Sequence, residues 1–282
     1  MEMLVSTERL AAELAAPDLA VLDASLHLPM AERDARAEYQ AAHIPGARFL
    51  DLAGLHDPAS ALPGKVPDGD RIARWLGERG IGPQTRIVLY DNSDLRSACR
   101  AWVLLDLAGL ANIAVLDGGL AKWKAEGRPL ESGMPDIAPM DRPATSVRIT
   151  DIRDKAAMLA NLDDHCEQVV DARDAGRFTG SVEDTVHGLP GGHIPGARHL
   201  FFRDVLQEDG TFRDAETLRT LFKKAGLDLD RPIVTTCGSG VTASVLLFAL
   251  RLLGAPQTAL YDGSWSEWGA DPGTPKETGE AR

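Results

Sequence analysis

Short apolar or β-branched runs alternate with longer helical patterns along the whole chain. Residues 19–22, 87–90 and 113–116 have the length and residue types of buried strands, as do 169–171, 233–236 and 258–261. Between them, 70–79 and 215–225 carry apolar positions at helical spacing, and 96–110 forms an apolar helical run. This alternation predicts an α/β fold with mainly parallel sheets flanked by helices. In such sheets ligands gather beyond the carboxyl ends of the strands.

The pattern occurs twice. His43-Ile44-Pro45-Gly46-Ala47-Arg48 recurs unchanged as His193-Ile194-Pro195-Gly196-Ala197-Arg198. Upstream, one apolar run ends in Asp23-Ala24 and its counterpart in Asp171-Ala172. Downstream, the strand leading to Asp91 corresponds to the strand leading to Cys237, and Asp117-Gly118…Trp123 to Asp262-Gly263…Trp268. The offset stays between 145 and 150 residues, too long for a solenoid repeat, so each half is expected to be a self-sufficient domain. A proline-rich stretch without helical or strand period lies between the halves. The expected boundaries are an N-terminal domain at 1–127, a connector at 128–146, a C-terminal domain at 147–275 and a tail at 276–282. The polar, breaker-rich end of the chain from Asp271 reads as mobile.

Charge and cysteine usage narrow the chemistry. The 30 basic and 42 acidic residues give a formal charge of −12, so the general field repels nucleic acid and anionic membranes. No apolar run approaches the roughly 20 residues of a membrane span, and Glu2, Glu8 and Arg9 stand where a secretory signal would have a basic start and an apolar core. Three cysteines, an odd and sparse number, argue against a disulfide framework and for a reducing compartment, the cytoplasm by default. In such a compartment a single thiol can be a nucleophile.

Cys237 has that setting. It ends a buried strand, Gly238 and Gly240 allow a tight turn, and a helix is expected to start near Val241. The unpaired amides and the dipole of a helix N-terminus stabilise negative charge, and the thiolate is the nucleophilic form of cysteine. Cys99 sits inside an apolar helical run and Cys166 just before a strand, so both read as structural. Two rival readings of the loop are weaker. Gly238-Ser239-Gly240-Val241-Thr242-Ala243 matches a dinucleotide fingerprint, but it closes its domain where such fingerprints open theirs. A cysteine phosphatase needs an arginine six positions after the nucleophile to grip phosphate, and that position is Ala243.

The duplication, the two HIPGAR segments, the loop Cys237-Gly238-Ser239-Gly240-Val241-Thr242 and the ending YDGSWSEW resemble the tandem rhodanese-type sulfurtransferases. In that family the first domain is catalytically degenerate, and Asp91 stands at its cysteine position here. The neutral loop is similar to that of members using 3-mercaptopyruvate, whereas thiosulfate-using members carry basic residues after the cysteine. The resemblance implies transfer of the sulfur of 3-mercaptopyruvate through a Cys237 persulfide to cyanide or a thiol acceptor, such as thioredoxin or a small thiol. No cofactor or metal is implied. Alternatives are a thiosulfate sulfurtransferase, or a persulfide carrier that docks on a partner without an efficient small-molecule donor.

The loop residues Gly238, Gly240, Val241 and Thr242 are expected to bind substrate and persulfide through their amides. Ser239 is a candidate donor to the substrate; its structural alternative is a hydroxyl near the helix cap. The resemblance suggests a relay from Ser239 to His43 and Asp34. Against it, His193 repeats His43 in the same segment, as a residue needed for the turn would. Arg177 matches the family arginine that clamps the substrate carboxylate; its alternative is a surface ion pair with Asp174 or Glu183. The family supplies a second arginine nine residues later, where this chain has Val186. Arg48, Arg96, Arg100, Arg198 and His187 are candidates to compensate. Trp268 repeats Trp123 and is expected in the core, whereas Trp265, without a counterpart, is expected to line the pocket.

Overall fold

The computed structural model describes residues 1–281. The chain divides into two compact units. One comprises Met1–Pro58, Val66–Arg148 and Glu208–Phe212; the other comprises Ala59–Lys65, Ile149–Gln207 and Arg213–Arg282.

The first unit holds a five-stranded sheet of β1 (Leu4–Val5), β2 (Leu19–Asp23), β3 (Arg48–Phe49), β4 (Arg86–Tyr90) and β5 (Ile113–Leu116), in the order β1-β5-β4-β2-β3. The second holds β6 (Ile152–Arg153), β7 (Gln168–Asp171), β8 (Arg198–His199), β9 (Ile233–Thr236) and β10 (Thr258–Tyr261), in the equivalent order β6-β10-β9-β7-β8. Every strand pair is parallel. The six longer strands are those the hydrophobic pattern predicts. The four two-residue edge strands carry too few residues to leave a periodic signal. In both units the arginine that closes the HIPGAR segment opens an edge strand.

The helices Ala98–Leu107 and Ala243–Leu252 connect the paired central strands of their sheets. They are buried on nearly every side, which explains their apolar composition all round. Gly69–Glu78 and Ala215–Lys224 are amphipathic and turn Ile72 and Leu76, or Leu218 and Phe222, inward. Part of the acid excess has a local use. Asp34, Asp68, Asp154, Asp174 and Asp214 each cap a helix by accepting from first-turn amides.

Residues 275–279 are tied back to the second unit. Glu277 forms a two-way backbone bridge with His193, and Gly279 donates to the Thr179 carbonyl at 2.8 Å. The first unit does the same through Glu131, bridged to His43, at the start of the presumed connector. Trp123 Nε1 donates to Pro129 O and Trp268 Nε1 to Pro275 O, each at 2.8 Å. Pro129-Leu130-Glu131-Ser132-Gly133 and Pro275-Lys276-Glu277-Thr278-Gly279 are therefore a further repeat, in which the chain returns to close the HIPGAR turn.

Candidate active site

Cys237 follows the last residue of β9 at the carboxyl edge of the second sheet, and its side chain is almost wholly buried. The Gly240 N–H donates to its Sγ at 3.1 Å. Gly240 holds φ +87°, a conformation open to glycine and strained for a side chain. The loop is pinned from the segment after β10. Ser264 Oγ accepts the Cys237 N–H at 3.2 Å, and the Trp265 N–H donates to Cys237 O at 2.9 Å. Ser266 donates to Gly238 O through both its N–H (2.8 Å) and its hydroxyl (2.7 Å). Thr242 caps the helix Ala243–Leu252 without a side-chain hydrogen bond. The N–H groups of Ser239, Val241 and Thr242 have no acceptor among the described residues, so they remain able to meet an anion. Ser239 is half-buried in this turn.

A buried cation lies behind the loop. Arg173 is fully buried and donates to Asp171 Oδ2 at 2.7 Å and to Gly192 O at 2.6 Å, with Nη1 3.4 Å from Asp184 Oδ2. Its guanidinium lies 4.5 Å from the centre of the Trp265 ring. Burial works against its charge. The carboxylates of Asp171 and Asp184, with the Cys237 thiolate, outweigh that cost and push its pKa up. Trp265 does not line a pocket: it is 1% exposed, and its Nε1 donates to Pro190 O at 2.9 Å. Trp268 and Trp123 are core residues.

Arg177 is half-buried between two acids, with Nε 2.6 Å from Asp174 Oδ2 and Nη1 3.6 Å from Asp184 Oδ1. Asp184 is buried and also takes a hydrogen bond from His187 Nδ1 at 2.9 Å. Burial alone would raise the Asp184 pKa, but the His187 hydrogen bond and the charges of His187, Arg177 and Arg173 hold it below the usual carboxylate value. The His187 ring packs on Gly238 so closely that a Cβ there would lie 2.1 Å from Cε1.

His43 and Asp34 belong to the first unit and have structural duties in it. His43 is buried, stacks on Tyr39 with ring centres 4.1 Å apart, and bonds Tyr39 O through Nδ1 at 2.7 Å. His193 repeats this on Phe178, at 3.9 Å and 2.9 Å. Nδ1 of His43 is thus engaged within its own unit, as Nδ1 of His193 is in the second. Asp34 caps the helix Ala35–Ala41 by accepting from the Arg36 and Ala37 amides.

The first unit shows the corresponding turn without a thiol. Asp91, in the place of Cys237, is buried and accepts from the Ser93 and Ala98 amides at 3.0 and 2.8 Å. Burial raises its pKa, against the pull of those amides and Arg96. Ser25 stands where the second unit has Arg173, and its hydroxyl accepts the Asn92 N–H. The unit that has the turn thiol has the buried cation at this place, and the unit without that thiol has neither. That paired difference between the halves is the sequence signal by which Arg173 could have been found.

The rhodanese-like domain family matches residues 6–126 and 147–271. The human protein named 3-mercaptopyruvate sulfurtransferase is 39% identical over 276 residues, covering 94% of this chain and 91% of its own. The mouse thiosulfate sulfurtransferase is 38% identical over 272 residues, with the same coverage. A crystal structure of SseA from Escherichia coli, described as a 3-mercaptopyruvate sulfotransferase, superposes with a TM-score of 0.85 at 33% identity. It covers 94% of this chain and 99% of its own.

Proposed function

The chain belongs to the rhodanese-like family, and on that premise we propose that it moves the sulfur of 3-mercaptopyruvate to a thiol or cyanide through a persulfide on Cys237. The single observation behind this reading is the buried Cys237 sulfur, which accepts the Gly240 amide within a turn that carries no cationic side chain.

The Cys237 thiolate attacks the donor sulfur. The sulfur–carbon bond of the donor breaks, and its electron pair leaves on carbon as the enolate of pyruvate. The enolate takes a proton, which the ionising persulfide can return, and pyruvate departs. An acceptor thiolate or cyanide then attacks the outer sulfur and restores the Cys237 thiolate. Splitting the transfer in two lets one buried thiol serve both donor and acceptor. The open amides of Ser239, Val241 and Thr242 face the charge that develops on sulfur, and Arg173 opposes it from behind. Arg177 takes the donor carboxylate. The Ser239 hydroxyl donates to the substrate. The acceptor, thioredoxin or a small thiol, belongs to the same reading, as does a cytoplasmic location. No helix among the described residues is long and apolar enough to cross a membrane.

Incubation with 3-mercaptopyruvate tests this. Pyruvate should appear, the peptide containing Cys237 should gain the mass of one sulfur, and Cys237→Ser should abolish both. Pyruvate release by Cys237→Ser at the wild-type rate would refute it. Faster turnover on thiosulfate would favour the alternative donor, which the name of the mouse relative also suggests.

A further inference from the structure

The second unit carries an insertion that the first lacks. Tyr39 and His43 are four positions apart, but Phe178 and His193 are fifteen apart, although both pairs make the same stacked, hydrogen-bonded contact. The eleven additional residues form a loop closed by the Asp184–Leu189 bridge. This loop brings Asp184 and His187 onto the Cys237 turn. The His187 ring bonds Asp184 through Nδ1, its backbone N–H donates to Asp184 O, and Nε2 has no partner among the described residues. A Cβ on Gly238 would lie 2.1 Å from Cε1 and 2.9 Å from Nε2, so the ring edge bears directly on the residue after the nucleophile. The side chain is 13% exposed, enough for Nε2 to meet a ligand.

The charges around the loop leave a gap for an anionic donor. Arg173 is spent on buried acids, Arg177 is shared between Asp174 and Asp184, and Val186 has no charge to offer. Asp184 is buried and lies 2.9 Å from His187 Nδ1, so a buried carboxylate faces one edge of the imidazole while Nε2 stays open on the other.

We propose that His187, oriented by Asp184 against Gly238, supplies through Nε2–H the second positive charge that receives the donor's carboxylate, a role Val186 cannot fill. The assignment rests on the proposed function and specifies its donor site. It makes His187 a specificity-determining residue for carboxylate-bearing sulfur donors.

The experiment is steady-state kinetics on 3-mercaptopyruvate with wild type, His187→Ala, His187→Gln and His187→Arg. A charge-assisted hydrogen bond is worth roughly a tenfold or larger change in affinity. His187→Ala and His187→Gln should raise KM by about that factor with kcat within about threefold, and His187→Arg should recover much of the lost affinity. An unchanged KM in His187→Ala or His187→Gln, or a loss confined to kcat, would overturn the assignment. If wild type releases no pyruvate, the proposed function itself fails. The anion site is then read by calorimetric titration with pyruvate, where weaker binding to His187→Gln supports the assignment and equal binding overturns it.

Discussion

The backbone N–H of Gly240 points at the sulfur of Cys237 from 3.1 Å, and it can do so because Gly240 holds φ +87°. A side chain in that conformation costs about 1–2 kcal/mol, and relief of the strain would turn the amide away from the sulfur. Gly240→Ala should therefore remain folded and lose roughly tenfold or more of its persulfide formation. Mass spectrometry after a timed exposure to donor measures it; wild-type rates would show that the amide contributes nothing.

Arg173 should be needed for folding and for reactivity. Arg173→Met leaves Asp171 buried without its cationic partner, while Asp184 keeps His187 and Arg177, and removing one member of a buried ion pair costs about 3–5 kcal/mol. Arg173→Lys keeps the charge but not the forked contacts, and should fall between. Urea unfolding gives the stability, and the rate of Cys237 alkylation at fixed pH gives the reactivity. Both are expected to decline in the order wild type, Lys, Met.

Gly238 and His187 should fail together. Gly238 does not need a positive φ, so alanine there is a steric probe: its Cβ would lie 2.1 Å from His187 Cε1 and must displace the ring. Gly238→Ala should raise the KM for the donor as His187→Ala does, and the double variant should be little worse than either single one. Fully additive losses would separate the two residues.

Replacing the carboxylate of the first unit with a thiol should not create a second active site. Asp91→Cys would place sulfur near the Ser93 and Ala98 amides, but Ser25 offers no cation behind it. In Asp91→Cys combined with Cys237→Ser, no sulfur should be found on residue 91. A persulfide there would mean that the loop suffices without Arg173.

Asp117 should make the first unit less stable as pH rises. Burial lifts its pKa from 3.8 to about 6, Asp209 adds to the rise, and the Phe212 amide opposes it. The folded state thus holds a proton that the unfolded state releases. The stability contribution is complete below about pH 4 and is lost as pH climbs through about 6. Asp117→Asn keeps an acceptor for Phe212 and removes the charge. It should be more stable than wild type above pH 6, by on the order of 1 kcal/mol after solvent screening, and the gap should close toward pH 4. Thermal melts across that range would reveal a constant gap if the carboxyl group is not the cause.

Residues close together in the chain determined much of this protein. A buried strand announces itself by a run of apolar residues, so the six long strands, the duplication and Cys237 between its strand and its glycines could all be read from the sequence. The two-residue edge strands could not, because two residues carry no period. The mobile tail was a misreading of composition: Pro275 and Glu277 look like breakers and charge until Trp268 and His193 are seen to take them. Tertiary structure alone decided the environment of the thiol. Arg173 meets Trp265 across 92 positions of sequence, and His187 meets Gly238 across 51, because parallel strands bring distant loops to one edge of the sheet. Charge pairing acts through that space. An arginine reads as surface until Asp171 and Asp184 bury it, and a histidine reads as incidental until Asp184 turns it toward the sulfur's neighbour.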